Sequence, residues 1–168
     1  MANMKIAFEI AGYGTIKAEL YPDKAPKTVE NFTGLLRRGF FDGLIFHRVI
    51  EGFMIQGGGY TAEMEHRDAE SIVGEFASNG FPQNDLLHKR GTLSMARTNM
   101  PNSASSQFFI MHRDAPHLDG AYAAFGRVTD EESLAVVDKI AAVPTGRYGY
   151  FADVPREPIV IERAYIIE

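Results

Sequence analysis

The stretch FHRVIEGFMIQGG, residues 46–58, decides the fold. Two short apolar runs flank a Glu-Gly pair, the pattern of a tight β-hairpin. His47, Arg48 and Gln56 sit inside it, and a guanidinium is almost never buried without a partner. Register separates the possible explanations. A two-residue turn at Glu51-Gly52 puts Arg48 and Gln56 on opposite faces. A three-residue connection over 51–53 sets Arg48 across from Gln56 on one face, with Met54 beside them. Arg48 then either reaches a carboxylate from a strand edge, or it lines an apolar pocket and donates hydrogen bonds to a neutral substrate. The second reading takes Phe53, Met54 and Gln56 as further lining and requires the longer connection.

Upstream, MKIAFEIAGYGTIKAELYP alternates apolar and polar residues across a glycine turn, which predicts strand, turn and strand. In the next segment Val29, Phe32, Leu35 and Leu36 recur at helical spacing, Pro26 suits the first turn and Gly39 the stop. A second helical period runs over residues 130–143, with Leu134, Val137 and Ile140/Ala141 as its buried stripe. Between the helices lie the short runs GLIFHRVI, FMIQ, GTLSMA, SQFFIM and YAAFGRV. PIVIERAYIIE follows as one long strand or a strand pair. Many short strands with two helices predict a mostly β domain, a barrel or sandwich with helices packed against it. Residues 59–84 lack periodicity and are expected to form a functional or surface loop.

The chain's 168 residues suit one domain, and its 45% hydrophobic content is ordinary for a globular protein. A net charge of −5 argues against a nucleic-acid binder. With no cysteine there is no disulfide, thiolate site or cysteine nucleophile. The N-terminus has no apolar signal region and no run of 18 apolar residues follows, so a cytoplasmic protein with no membrane association is expected.

Other chemistries find weak footing. His112 and His117 have the wrong spacing for a zinc protease and lack its glutamate. Ser103, Ser105 and Ser106 lie in no G-x-S-x-G elbow. Gly57, Gly58 and Gly59 are followed by Tyr-Thr, not Gly-Lys-Ser/Thr, and read as a turn where another backbone comes close. Glu63, Glu65, Asp68 and Glu70 read as a solvated loop.

FFDGLIFHRVIEGFMIQGG, GTLSMARTNMPNSASSQFFI and HLDGAYAAFGRV, in that order, resemble the cyclophilin family of peptidyl-prolyl cis-trans isomerases, in its bacterial form. The resemblance spans essentially the whole chain. It implies an eight-stranded antiparallel β-barrel closed by two α-helices, with a substrate groove on the barrel's outer face. It assigns catalysis to Arg48, with Gln56 orienting a substrate carbonyl. His47, Phe53, Met54, Ala96, Arg97, Gln107, Phe109, His117, Leu118 and Tyr122 are carried over as substrate-binding residues. Arg97 stands where many members have asparagine, Tyr122 where a histidine is frequent, and His117 where drug-sensitive members carry tryptophan. The implied partners are proline-containing peptides and unfolded proteins, with cyclosporin bound only weakly. The implied enzyme is a monomer that needs no metal or cofactor. A binding module that grips proline without turning it, or a chaperone whose isomerase activity is incidental, fits the same barrel; the retained Arg48 argues against the first.

Overall fold

The computed structural model describes residues 2–167. Its first hairpin is β1 (Met4–Ile10) with β2 (Gly14–Leu20), paired in register from Met4↔Leu20 to Ile10↔Gly14. Helix α1 (Pro26–Arg37) follows, then β3 (Arg48–Ile50), β4 (Met54–Gly57), β5 (Thr92–Met95), β6 (Phe108–Met111) and β7 (Ala124–Val128). Helix α2 (Glu131–Ala141), a hairpin of β8 (Thr145–Tyr148) and β9 (Phe151–Pro155), and β10 (Ile161–Ile167) complete the order. Eight strands form one antiparallel sheet in the order β10-β1-β2-β7-β5-β6-β4-β3. The sheet curls until its margins meet. Phe46 N–H donates to Ile159 O at 3.0 Å and Ile161 N–H to Leu44 O at 2.8 Å.

Phenylalanines fill the interior. Phe8, Phe32, Phe41, Phe46, Phe108 and Phe125 have no exposed surface. Phe108 stacks on Phe8 at 5.1 Å and meets the edge of Phe32 at 5.3 Å. This interior is packed solid, so a ligand must bind outside it. Gly57 and Gly58 lie against that packing. A Cβ on Gly57 would sit 2.6 Å from the Ile45 carbonyl, and one on Gly58, at φ +89, 2.9 Å from the Phe108 ring. The triple glycine is therefore a site of close approach.

Helix α1 starts at Pro26 but has no side-chain cap of its own. Glu75, from the long loop, supplies one. Its carboxylate accepts from Thr28 N–H (2.6 Å), Lys27 N–H (3.2 Å) and Thr28 Oγ1 (2.7 Å), an anion on the orphan donors of a helix N-terminus. The loop's carboxylates are thus not all solvated. Helix α2 is capped by Asp130, which accepts from Ser133 N–H at 2.7 Å. The core face of α2 is Val136, Val137, Ile140 and Ala141. The expected Leu134 is only partly buried, because the helix is rotated to bring Val136 inward.

The β8–β9 hairpin has no counterpart in the expected strand set. Its sequence, TGRYGYFADVP, is broken by glycine and proline and is mostly exposed, so it lacks the alternation that marks a strand packed on a core. PIVIERAYIIE forms one strand rather than a pair. Among the described residues no helix is long and apolar enough to cross a membrane.

Candidate active site

The β3–β4 hairpin adopts the three-residue connection. Arg48 pairs with Gln56, Val49 with Ile55 and Ile50 with Met54. Gly52 takes φ +81 in the turn, where a residue with a Cβ is strained, and Phe53 N–H donates to Ile50 O at 3.0 Å. Val49 and Ile55 join the main core, while Ile50 and Met54 join a second apolar cluster on the other face of the sheet. The same alternation splits β6. Phe108 and Ile110 point inward, Phe109 and Met111 outward.

This outer cluster is the floor of a groove with about 440 Å³ of open space. Phe53, Met54, Phe109 and Leu118 supply its apolar surface, with Ala96 and Tyr122 beside them. Arg48 and Gln56 line one side and Arg97 another. Apolar walls with a few fixed donors are what a small-ligand site requires.

Arg48 is exposed, not buried. It belongs to the outer face, and its apolar sequence neighbours turn inward. Among the described residues no carboxylate pairs with it. Its Nη1 donates to Gln56 Oε1 at 3.2 Å, and Gln56 Nε2 donates to Gln107 Oε1 at 3.0 Å. Gln56 therefore orients the guanidinium, and its carbonyl oxygen is already engaged. Gln107 stands one step outside the groove, in a recess shared with Thr98, Ser103 and Ser105.

The Arg97 guanidinium carbon lies over two rings, 4.8 Å from the Phe76 centroid and 4.6 Å from that of Tyr122. Its Nη1 and Nη2 donate to the Thr98 and Ala121 carbonyls at 2.9 and 2.6 Å. The cation–π contact to Tyr122 helps hold that ring against the groove. Ala96 sits on the same edge, its N–H donating to Gln107 O at 3.0 Å.

His117 is at the rim, its ring stacked 5.9 Å from Phe53 at 28°. It stands outside the lining, and Leu118, the next residue, is inside it. His47 does not reach the groove. Its buried ring lies beside Tyr60 (4.7 Å) and Phe151 (6.2 Å), and its Nδ1 has no hydrogen-bond partner. Burial, then the charges of Arg48 and His66, push its pKa down to about 4. The sequence puts His47 next to Arg48, but successive side chains diverge in extended backbone.

Beneath the floor lies a group that sequence reasoning missed. His88 stacks under Phe109 at 6.0 Å. Its Nδ1 meets Asp119 Oδ1 at 3.0 Å and its Nε2 meets Ser94 Oγ at 2.8 Å. Burial holds the His88 pKa below the ordinary histidine range. No spacing in the sequence joins residues 88, 94 and 119: the β5–β6 pairing sets Ser94 across from Phe109, and the loops that carry His88 and Asp119 meet it only in the folded chain. Among the described residues no three His, Cys, Asp or Glu side chains converge as a metal site would need.

A groove of this kind can hold a small apolar ring and present a fixed cation to it. Comparison with known proteins agrees with that chemistry. Residues 5–166 match the family model described as cyclophilin type peptidyl-prolyl cis-trans isomerase/CLD. The chain is 46% identical over 166 residues to a peptidyl-prolyl cis-trans isomerase of Acinetobacter baylyi, covering 96% of this chain and 84% of that one. It is 43% identical over 164 residues to peptidyl-prolyl cis-trans isomerase B of Escherichia coli, covering 93% and 96%. A crystal structure of a Cryptosporidium parvum cyclophilin superposes with a TM-score of 0.84 at 28% identity over 99% of both chains. The same protein in the presence of the dipeptide Ala-Pro gives 0.80 at 30% identity, covering 98% of this chain and 99% of that one. With a family model spanning nearly the whole chain, relatives above 40% identity and the same curled sheet, this protein belongs to the cyclophilin-type peptidyl-prolyl cis-trans isomerases.

Proposed function

We propose that Arg48 is the catalytic donor of this isomerase and that its substrates are proline-containing segments of peptides and unfolded proteins, which the protein meets as a cytoplasmic monomer. The observation that carries the assignment is the placement of Arg48: a guanidinium held by Gln56, without a carboxylate partner among the described residues, at the edge of an apolar groove.

Peptide-bond resonance sets a rotation barrier of about 18–20 kcal/mol, and uncatalysed X-Pro isomerisation takes about 10–100 s. No covalent bond changes, so no nucleophile is required. Halfway through the rotation the proline nitrogen becomes pyramidal and recovers its lone pair. Arg48 donates to that nitrogen in the twisted state and hardly at all to the planar amide. An interaction made only in the transition state accelerates the reaction. Arginine suits the role because it stays protonated and offers several N–H groups, of which Gln56 occupies one. Phe53, Met54, Phe109 and Leu118 hold the proline ring and keep water from the nitrogen. The crystallisation of the Cryptosporidium cyclophilin with Ala-Pro supports a proline-bearing ligand for a groove of this kind.

In a coupled assay on an X-Pro peptide, Arg48→Ala should lose about 10²- to 10³-fold in kcat/KM, as removal of one preorganised donor does. Its fold should be unchanged because the side chain is exposed. Arg48→Lys should also be poor, since an ammonium cannot match the fork. Activity of Arg48→Ala within about twofold of wild type would remove Arg48 from the mechanism. Cell fractionation and sedimentation test the compartment and the oligomeric state.

A further inference from the structure

His112 follows β6 and lies outside the groove, yet it holds the groove's wall by two bonds of its own, and the next residue adds a third. Its Nδ1 accepts from Gly52 N–H at 2.8 Å. Its own main-chain N–H, with that of Arg113, donates to the Phe53 carbonyl at 2.9 and 3.4 Å. One residue thus pins the connection over 51–53 from its side chain and its backbone together. That connection carries Phe53 into the groove and under His117.

The partners fix the tautomer. A backbone N–H can only donate, so Nδ1 carries a lone pair and the ring proton is on Nε2. Nε2 faces Asp138 Oδ1 on α2 at 3.1 Å. Asp138 is itself gripped by Arg90, at 2.6 and 3.0 Å, an ion pair that holds its carboxyl below the usual carboxylate range. Nε2–H therefore has an ionised acceptor, and the imidazole is clamped at both nitrogens.

Resting on the isomerase reading above, we propose that His112 is a positioning residue: its neutral Nε2–H imidazole fastens the 51–53 connection, sets Phe53 against the substrate's proline ring, and releases that wall when Nδ1 takes a proton. A protonated Nδ1 would aim N–H at the N–H of Gly52, replacing a hydrogen bond with a repulsion. The charged groups facing the ring oppose one another. Asp138 favours the cation, while Arg113 and Arg90 disfavour it. Burial is the largest influence and holds the ring below the ordinary histidine range, so the clamp is closed at neutral pH and opens on acidification.

Phe53 would touch the proline in ground state and transition state alike, so loosening it raises KM more than it lowers kcat. His112→Leu, of similar size and without an acceptor, should raise KM about five- to tenfold, the worth of one hydrogen bond. His112→Asn places an amide oxygen near the position of Nδ1 and should recover most of that loss. The wild-type pH profile should fall on the acid side as Nδ1 takes a proton, and His112→Asn should lack that limb. Nitrogen-15 spectra of the wild-type imidazole should show the proton on Nε2, and Phe53 ring signals should shift as His112 titrates. These spectra need no turnover, so they decide the clamp even if Arg48 proves not to be the catalytic donor. His112→Asn as impaired as His112→Leu, an acid limb that persists in His112→Asn, or a neutral ring with its proton on Nδ1 would each overturn the proposal. Should His112→Leu not fold, His112→Asn and the spectra still decide it.

Discussion

His117 shows how far one rim side chain tunes the groove. It is exposed and covers Phe53 with a five-membered ring. The resemblance implies that drug-sensitive relatives carry tryptophan here, packed on cyclosporin and offering an indole N–H. Losing about 60 Å² of apolar contact costs about 1.5 kcal/mol at about 25 cal/mol per Å². The missing hydrogen bond adds about 0.5–1.5 kcal/mol. His117→Trp should therefore tighten cyclosporin about 30- to 150-fold while turnover of a short peptide changes little. Calorimetric titration of both proteins checks this, and equal affinities would clear His117 of the effect. His47, one residue from Arg48, has an effect on stability instead. With its folded pKa lowered to about 4, the native ring refuses a proton that the unfolded chain accepts from about pH 6.5 downward. Stability is thus fully present above about pH 6.5 and is lost as pH falls toward 4, by about 3 kcal/mol in all. His47→Phe should fill the same place beside Tyr60 and Phe151 and flatten that loss. Urea melts at pH 7.5 and 4.5 measure the difference, and an unchanged acid loss would move its origin elsewhere.

At the scale of elements, distant residues complete what local sequence leaves open. Helix α1 has alanine at its N-cap, and Glu75, 2% exposed and nearly fifty residues away, answers its first N–H groups. Glu75→Ala should strand those donors and cost about 2–3 kcal/mol, with Tm lower by about 5–10 °C in a chain of this size. Differential scanning calorimetry tests it, and a shift under about 2 °C would show that water caps the helix equally well. The β3–β4 hairpin was legible in outline, since apolar runs around Glu-Gly announce it. Its length was not, because sequence alone permits either register. The observed Arg48↔Gln56 pairing selects the three-residue connection. That selection turns the arginine outward, where it is exposed.

Across the whole molecule, the sheet separates stability from function by face. Phe108 and Phe109 are adjacent on β6, but Phe108 is fully buried among the core rings and Phe109 forms the groove floor. Phe108→Ala should cost about 3–5 kcal/mol of stability and leave kcat/KM near wild type wherever the protein is folded. Phe109→Ala should do the opposite, costing more in KM than in stability. Denaturant melts and kinetics on the pair check this, and matching profiles would show that the two faces are not independent.

The sequence by itself determined the mostly β class, both helices and most of the strands, because alternation, helical period and turn residues act between neighbours a few positions apart; the three motif blocks came from their resemblance to a known family. Arg48, Phe53, Met54 and Gln56 were legible together because one hairpin carries them. The tertiary structure alone decided the β8–β9 hairpin, whose exposed, glycine-broken strands carry no periodic signal. It also decided the diversion of His47 away from the groove and the meeting of Arg97 with the Phe76 and Tyr122 rings. The supports beneath the site, His88 with Ser94 and Asp119, and His112 with Gly52 and Asp138, were its decisions too. The His112 support depends on which strands become neighbours when the sheet curls, and that order, β7-β5-β6-β4-β3, does not follow the order of the chain; the others depend on loops that lie far apart in sequence and meet only in the folded chain.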